Sequence, residues 1–283
     1  MAILNQFKTV ILLGLLTGLL LAVGYLIGGT GGLTIALIIS VVMNFGSYFF
    51  SDKIVLFMYR AQEAKEKDQP ELFKIVREVS QLAKIPMPKV YIVPTETPNA
   101  FATGRNPKHA VVACTKGIMD FLSKEELKGV IAHEMSHIKN RDILIQTIAA
   151  TIAGVISYIA MMARFGAMFG GGSNDREGGN IFYLLAISII TPLIAMLLQL
   201  ALSRSREYLA DETGAKTIHD PKALASALAK LESGVSKNPM SFGSPATSAL
   251  FIVNPFSAKG LAGLLSTHPP MEERIKRLNS MRV

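Results

Sequence analysis

The chain reads as an α+β protein, mainly α, with a small β-sheet, attached to four transmembrane helices. Three observations predict this. Half of the 283 residues are hydrophobic and only 18% are charged, with a mean hydropathy of +0.37, too apolar for an ordinary soluble domain. Three long runs carry no charged residue at all, the first long enough for two spans, which makes four candidate spans. The polar stretch between the first and second run holds short β-branched segments followed by a capped helix that carries His133-Glu134-Met135-Ser136-His137.

From Thr9 to Ser51 no charge appears, and Gly28-Gly29-Thr30-Gly31-Gly32 divides this run into two segments. Each is about twenty residues, enough to cross about 30 Å of hydrocarbon, so residues 1–52 read as a transmembrane hairpin. A cleaved leader would also place a basic residue such as Lys8 before an apolar run. Here no small-x-small site follows Leu26-Ile27-Gly28, and a second span begins at once, which favours a retained anchor.

Residues 53–142 form a first polar segment. Gln69 to Lys84 has a helical pattern that Ile85-Pro86-Met87-Pro88 must end. Val90-Tyr91-Ile92-Val93 and His109 to Cys114 read as strands, with Asn99-Ala100-Phe101-Ala102-Thr103 as a third, edge-like one. Ser123 and Glu126 have the spacing of a capping box, and Leu127, Val130, Ile131, Met135 and Ile138 then recur at helical spacing.

Residues 143–203 hold the second pair of spans, Ile143 to Ala163 and Asn180 to Ser203, around a Gly-rich loop from Gly166 to Gly179. A buried core helix could give the same apolar pattern, and Pro192 is tolerable in a lipid-embedded helix. In the last segment, 204–283, Arg204 to Thr217 and Pro221 to Leu231 read as helices, and Gly234 to Phe256 as turn-rich.

Lys53, Arg60, Lys139, Arg141, Arg204 and Arg206 flank the spans on the side of the two polar segments, whereas the first hairpin's glycine turn has no Lys or Arg. Both polar segments are therefore expected in the cytoplasm, in a multi-pass protein. Topology and anionic lipid account for the net charge of +8 and the pI of 9.5, so no nucleic-acid partner is needed. The single cysteine, Cys114, lies in an apolar run and excludes both an intrachain disulfide and a thiol metal cluster.

The chemistry centres on His133 and His137. Residues four apart share a helix face, so both imidazoles can hold one metal ion while Glu134 stands beside it. H-E-x-x-H is a known signature of zinc peptidases, and by composition about one chain in a hundred of this length would show it by chance. Only five histidines are present, and two fall in this pattern on a capped helix. A catalytic zinc site usually takes three protein ligands. Glu207 is the best downstream carboxylate, with Asp211 one turn further on, placed to orient a ligand histidine. On spacing alone a solvated charged helix face explains this pair equally well. The segment Asn99 to Ala102 has two readings as well: an edge that takes an extended substrate as an added strand, or an ordinary sheet edge packed through Phe101. His109 and His219 lack partners at metal spacing and read as surface or loop residues.

His133 to Asp142, Ser203 to Asp211, Asn99-Ala100-Phe101-Ala102 and Thr267-His268-Pro269-Pro270 together resemble the HtpX family of membrane-bound zinc endopeptidases, over essentially the whole chain. The resemblance implies a gluzincin-like zinc metallopeptidase domain with one Zn2+ per chain, ligands His133, His137 and Glu207, and Glu134 as base. It also implies proteolytic quality control of misfolded or damaged membrane proteins under stress, at the bacterial inner membrane, and such a peptidase could cut its own chain as well. Similarity to the related CAAX prenyl endopeptidases makes His268 the candidate donor to the oxyanion and Arg274 its structural or electrostatic companion. Otherwise His268-Pro269-Pro270 reads as the cap of the last helix. An intramembrane protease would also use H-E-x-x-H, but Lys124, Glu125, Glu126, Lys128, Lys139, Arg141 and Asp142 crowd this motif with charge. A non-catalytic scaffold with structural zinc would not need Glu134 and would normally supply a fourth protein ligand.

Overall fold

The computed structural model describes residues 2–148, 204–243, 245–256 and 269–283. The fourth expected span and the Gly-rich loop lie outside them, as do His268 and all of the third span except residues 143–148, which are helical.

The N-terminal helix α1 (Ala2–Met58) is two helices joined at a kink, where Gly28 and Gly29 leave helical geometry and Gly29 takes φ 56°. The halves fold back on each other. Asn44 Nδ2 donates to Thr17 Oγ1 at 2.8 Å, and a Cβ placed on Gly24 would lie 2.5 Å from that of Ala36 and 2.6 Å from the Gly32 carbonyl oxygen. Only glycine allows backbones this close, the device by which helices pack where no hydrophobic force draws them together. Gly28–Gly46 is the one stretch among the described residues that is long and apolar enough to cross a membrane. Its outward side chains, Val41, Val42 and Phe45 among them, are exposed. Four transmembrane helices thus remain an expectation, and the helix itself continues past residue 52 to bury Val55, Leu56 and the following Tyr59.

The four-stranded sheet has the order β1-β2-β4-β3. Strands β2 (Lys89–Val93) and β4 (Ala110–Thr115) run parallel, while β3 (Ala100–Gly104) lies antiparallel to β4 at one edge. The other edge is β1 (Gln62–Glu63), antiparallel to β2 and too short to leave a sequence signal. The connection between the parallel strands runs through the edge strand rather than through a helix.

Helix α2 (Pro70–Ala83) ends at Lys84 in left-handed geometry, as the following prolines require. A short α3 (Lys116–Phe121) follows β4, capped by Thr115. Helix α4 (Lys124–Asn140) has the expected capping box: Ser123 Oγ accepts from the Glu126 amide at 3.3 Å and Glu126 Oε2 accepts from the Ser123 amide at 2.8 Å. After the undescribed stretch come α5 (Arg204–Ile218), α6 (Pro221–Lys237), which is longer than anticipated, and α7 (Met271–Ser280).

Helix α4 is central, packed by α2, α5, α6 and β3, and Val130, Ile131, Met135 and Ile138 are wholly buried. Each such side chain contributes about 1.5–3 kcal/mol. Gly214 of α5 sets the approach of the two site helices, because a Cβ there would come 2.9 Å from the His133 amide nitrogen. Glu126 does more than cap: it also accepts from Ser226 Oγ at 2.6 Å and pairs with Lys230 at 2.8 Å, tying α4 to α6. Glu126→Ala is expected to cost about 1–2 kcal/mol, mostly as a lost cap, since half-exposed Lys230 is screened by water. Thermal melting in detergent measures it, and an unchanged midpoint would show that the cap contributes nothing.

Candidate metal centre

His133 and His137 are both buried, with ring centroids 4.8 Å apart and Nε2 atoms 3.1 Å apart. Each ring has a carboxylate on its other nitrogen. His133 Nδ1 lies 2.9 Å from Asp211 Oδ1, an oblique charge contact rather than an aligned hydrogen bond. His137 Nδ1 lies 3.1 and 3.2 Å from the two Asp142 oxygens. With the ring protons on Nδ1 the two Nε2 lone pairs face each other, an arrangement that a proton or a metal ion between them relieves.

Glu207 of α5 closes the third side. Its Oε2 is 3.6 Å from His133 Nε2 and its Oε1 3.7 Å from His137 Nε2. In tetrahedral coordination at about 2.0–2.1 Å, ligand atoms stand roughly 3.3–3.4 Å apart. The two Nε2 atoms stand close to that spacing, each has a Glu207 oxygen within 3.7 Å, and one ligand atom from each of the three residues lies within 4.8 Å of the others, so the donor set of two imidazoles and one carboxylate fits a Zn2+ ion. Glu134 is 2% exposed and stands outside the triad, near enough to the Ala102 amide of β3 for that amide to favour its charged form.

The electrostatics favour positive charge. Burial would lower the His137 imidazolium, but Asp142, Glu207 and Glu134 override it and hold it up at about 10. His133 is likewise raised against burial, by Asp211 and Glu207. Protons and a metal compete for such a site, so zinc loading releases protons and weakens as pH falls. Burial pushes Glu134 above the usual carboxylate range, with the two imidazoles opposing it. Asp211, against its burial, is held down at about 2 by Arg274, and burial pushes the Cys114 thiol up to about 12, leaving it inert.

The structure thus brings together His133, Glu134, His137, Glu207 and Asp211. Arg274 is fully buried and stands on Asp211, not beside the reaction face: Nε and Nη2 donate to its two oxygens at 2.8 and 2.7 Å, and Nη1 to the Ile252 carbonyl at 2.9 Å. It braces the carboxylate that stands behind His133. The edge-strand expectation needs narrowing. Asn99 precedes β3 and its side chain donates to the Val253 carbonyl at 2.7 Å. The Ala100 carbonyl accepts from Ile252 at 3.2 Å, and Phe101 bridges to Phe251. The first part of the edge is therefore already covered from within the chain, by residues 251–253.

Asp142 was assigned no role by spacing. It reaches His137 because Arg141 turns left-handed (φ 56°) and the Asp142 amide then donates back to the His137 carbonyl at 3.2 Å. This is a Schellman-type helix end, and a histidine followed five residues later by aspartate is its sequence trace. Arg206, one of the basic residues that flank the uncharged runs, is buried beside this site, at 6% exposure.

Comparison with known proteins agrees. Residues 66–282 match the model of peptidase family M48. The chain is 55% identical over 280 residues to a protease HtpX homolog of Syntrophobacter fumaroxidans, covering 98% of this chain and 99% of that protein. It is 56% identical over 274 residues to one of Pyrococcus furiosus, covering 97% and 95%. Among solved structures, the crystal structure of S. mikatae Ste24p is similar in fold, with TM-score 0.52 and 18% identity, and the match covers 98% of this chain and 66% of that one.

Proposed function

The chain belongs to peptidase family M48, and from that premise we propose that it is a membrane-anchored zinc endopeptidase that degrades misfolded or damaged membrane proteins. It is a metallopeptidase, and peptides are its substrates. The observation that carries the finer reading is the pair of facing Nε2 atoms 3.1 Å apart, with Glu207 within 3.7 Å of both and Glu134 buried alongside but outside the set.

His133, His137 and Glu207 hold the zinc. A bound zinc ion supplies Lewis acidity, polarising the scissile carbonyl and acidifying water. Glu134 takes the proton of the attacking water on its carboxylate and returns it to the leaving amine. Asp211 and Asp142 keep each imidazole in the tautomer that presents Nε2. The part of the β3 edge beyond the cover of residues 251–253 guides an extended peptide by main-chain hydrogen bonds, and His268 donates to the developing oxyanion.

In this reading residues 1–52 and 143–203 form two transmembrane hairpins, and 53–142 and 204–283 together form the catalytic domain on the cytoplasmic side of the cell membrane. The uncharged runs and the basic residues Lys53, Arg60, Lys139 and Arg141 support that topology.

Stripping detergent-purified protein with a chelator is expected to abolish cleavage of unfolded casein, and one equivalent of zinc to restore it where magnesium or calcium does not. His137→Ala should not be restored. Undiminished cleavage in chelator would overturn the zinc assignment.

A further inference from the structure

Each ligand histidine is backed by a carboxylate, but only one of these carboxylates is closed by an arginine. Behind His133, Arg274 grips Asp211 with two hydrogen bonds. Behind His137 stands Asp142, 1% exposed, with both oxygens turned to Nδ1. The cation on this side is Arg206, one residue before Glu207 on α5. It is 6% exposed, and none of Nε, Nη1 and Nη2 has a hydrogen-bond partner. Asp142 and Glu207 are the carboxylates near enough to act on it by charge, and neither is in direct contact with it.

A guanidinium keeps its proton and offers five donors, so burying it unmatched is costly unless a partner is at hand. Glu207 is taken up by the metal set. Asp142 has acceptor capacity to spare, since a carboxylate accepts about four hydrogen bonds and the imidazole uses one. An external anion such as phosphate is the poorer match, because it would enter beside two carboxylates. The sequence order explains the placement: successive residues on a helix differ by about 100° in direction, so Arg206 stands beside Glu207 rather than behind it.

We propose that Arg206 is a positioning residue for the metal centre: it closes on the free face of Asp142 and keeps that carboxylate turned to His137, making an Arg206–Asp142–His137 relay that parallels Arg274–Asp211–His133. The proposal rests on the reading of His133, His137 and Glu207 as zinc ligands. Helix α5 then supplies, within two turns, the third ligand and a member of each supporting relay.

The test is zinc affinity by chelator competition in four full-length proteins: wild type, Arg206→Gln, Asp142→Asn and the double variant. Arg206→Gln should weaken zinc binding about tenfold, the lower end of what loss of an outer partner costs. In the Asp142→Asn background the same change should add nothing, because Arg206 acts through Asp142. Arg206→Lys, which keeps the charge but loses the planar fork, should lose less. Wild-type affinity in Arg206→Gln, or a loss that adds in full to that of Asp142→Asn, overturns the proposal. Should Arg206→Gln fail to fold, the coupling is read on Arg206→Lys, whose loss must appear with Asp142 present and vanish in the Asp142→Asn background. His137→Ala separates the two levels: if it binds zinc as wild type does, the metal-centre reading fails, and if it alone loses zinc, only the role of Arg206 fails.

Discussion

Glu134→Gln is expected to leave the protein folded and zinc-loaded and to lower cleavage of unfolded casein on the order of 10³-fold. Glutamine keeps the shape of the side chain and can still meet the Ala102 amide, but it has no basic oxygen to take a proton. The wild-type carboxyl is well suited to that task. It is 2% exposed, and burial raises it above the usual carboxylate range, so it holds a proton more readily than a solvated glutamate does. It also lies outside the ligand triad, so its chemistry is separable from metal binding. Turnover and metal content measured side by side decide the matter. Undiminished turnover would remove Glu134 as the base, whereas loss of metal together with activity would make it a ligand.

Arg274→Met has the largest expected effect on stability. Arg274 is fully buried and Asp211 nearly so, and the two share a forked pair of hydrogen bonds. Removing one partner strands the other charge in a dry interior, which costs about 3–5 kcal/mol, where removing both would cost less. For a chain of this size the loss corresponds to a fall of about 10 °C in melting temperature. The same guanidinium donates to the Ile252 carbonyl, and Ile252 in turn pairs with Ala100 of β3, so the loop over the sheet edge loosens with it. Zinc binding should weaken too, because Asp211 stands behind His133. Melting in detergent, with and without zinc, tests this, and adding Asp211→Asn to Arg274→Met should recover part of the loss by removing the stranded charge. A midpoint within a degree or two of wild type would show that the buried pair stabilises nothing.

The parts of this protein readable from sequence are those governed by short-range rules. The capping box Ser123/Glu126, the two histidines one turn apart, the glycine turn of the first hairpin and the three longer strands each depend on residues within a few positions of one another. The structure has them where the pattern indicated. Glu207 and Asp211 were visible as a pair at helical spacing, though spacing alone could not separate a ligand pair from a solvated face. Arg274 was legible only as a residue of interest, and its partner was not. The two-residue strand β1 and the short α3 were too brief to leave a periodic signal.

By itself, then, the sequence determined the longer secondary elements, the apolar hairpin and the metal-binding residue types of α4, because hydrogen-bond capping, side-chain periodicity and ligand type are local properties. Tertiary structure alone decided which carboxylate stands behind which histidine, that Arg274 serves Asp211 across 63 residues of chain, that residues 251–253 cover the start of the β3 edge, and that Arg206 is buried. Those outcomes follow from how the helices and loops pack around α4. A charged side chain settles wherever packing makes its desolvation least costly, and no spacing rule along the chain specifies that place.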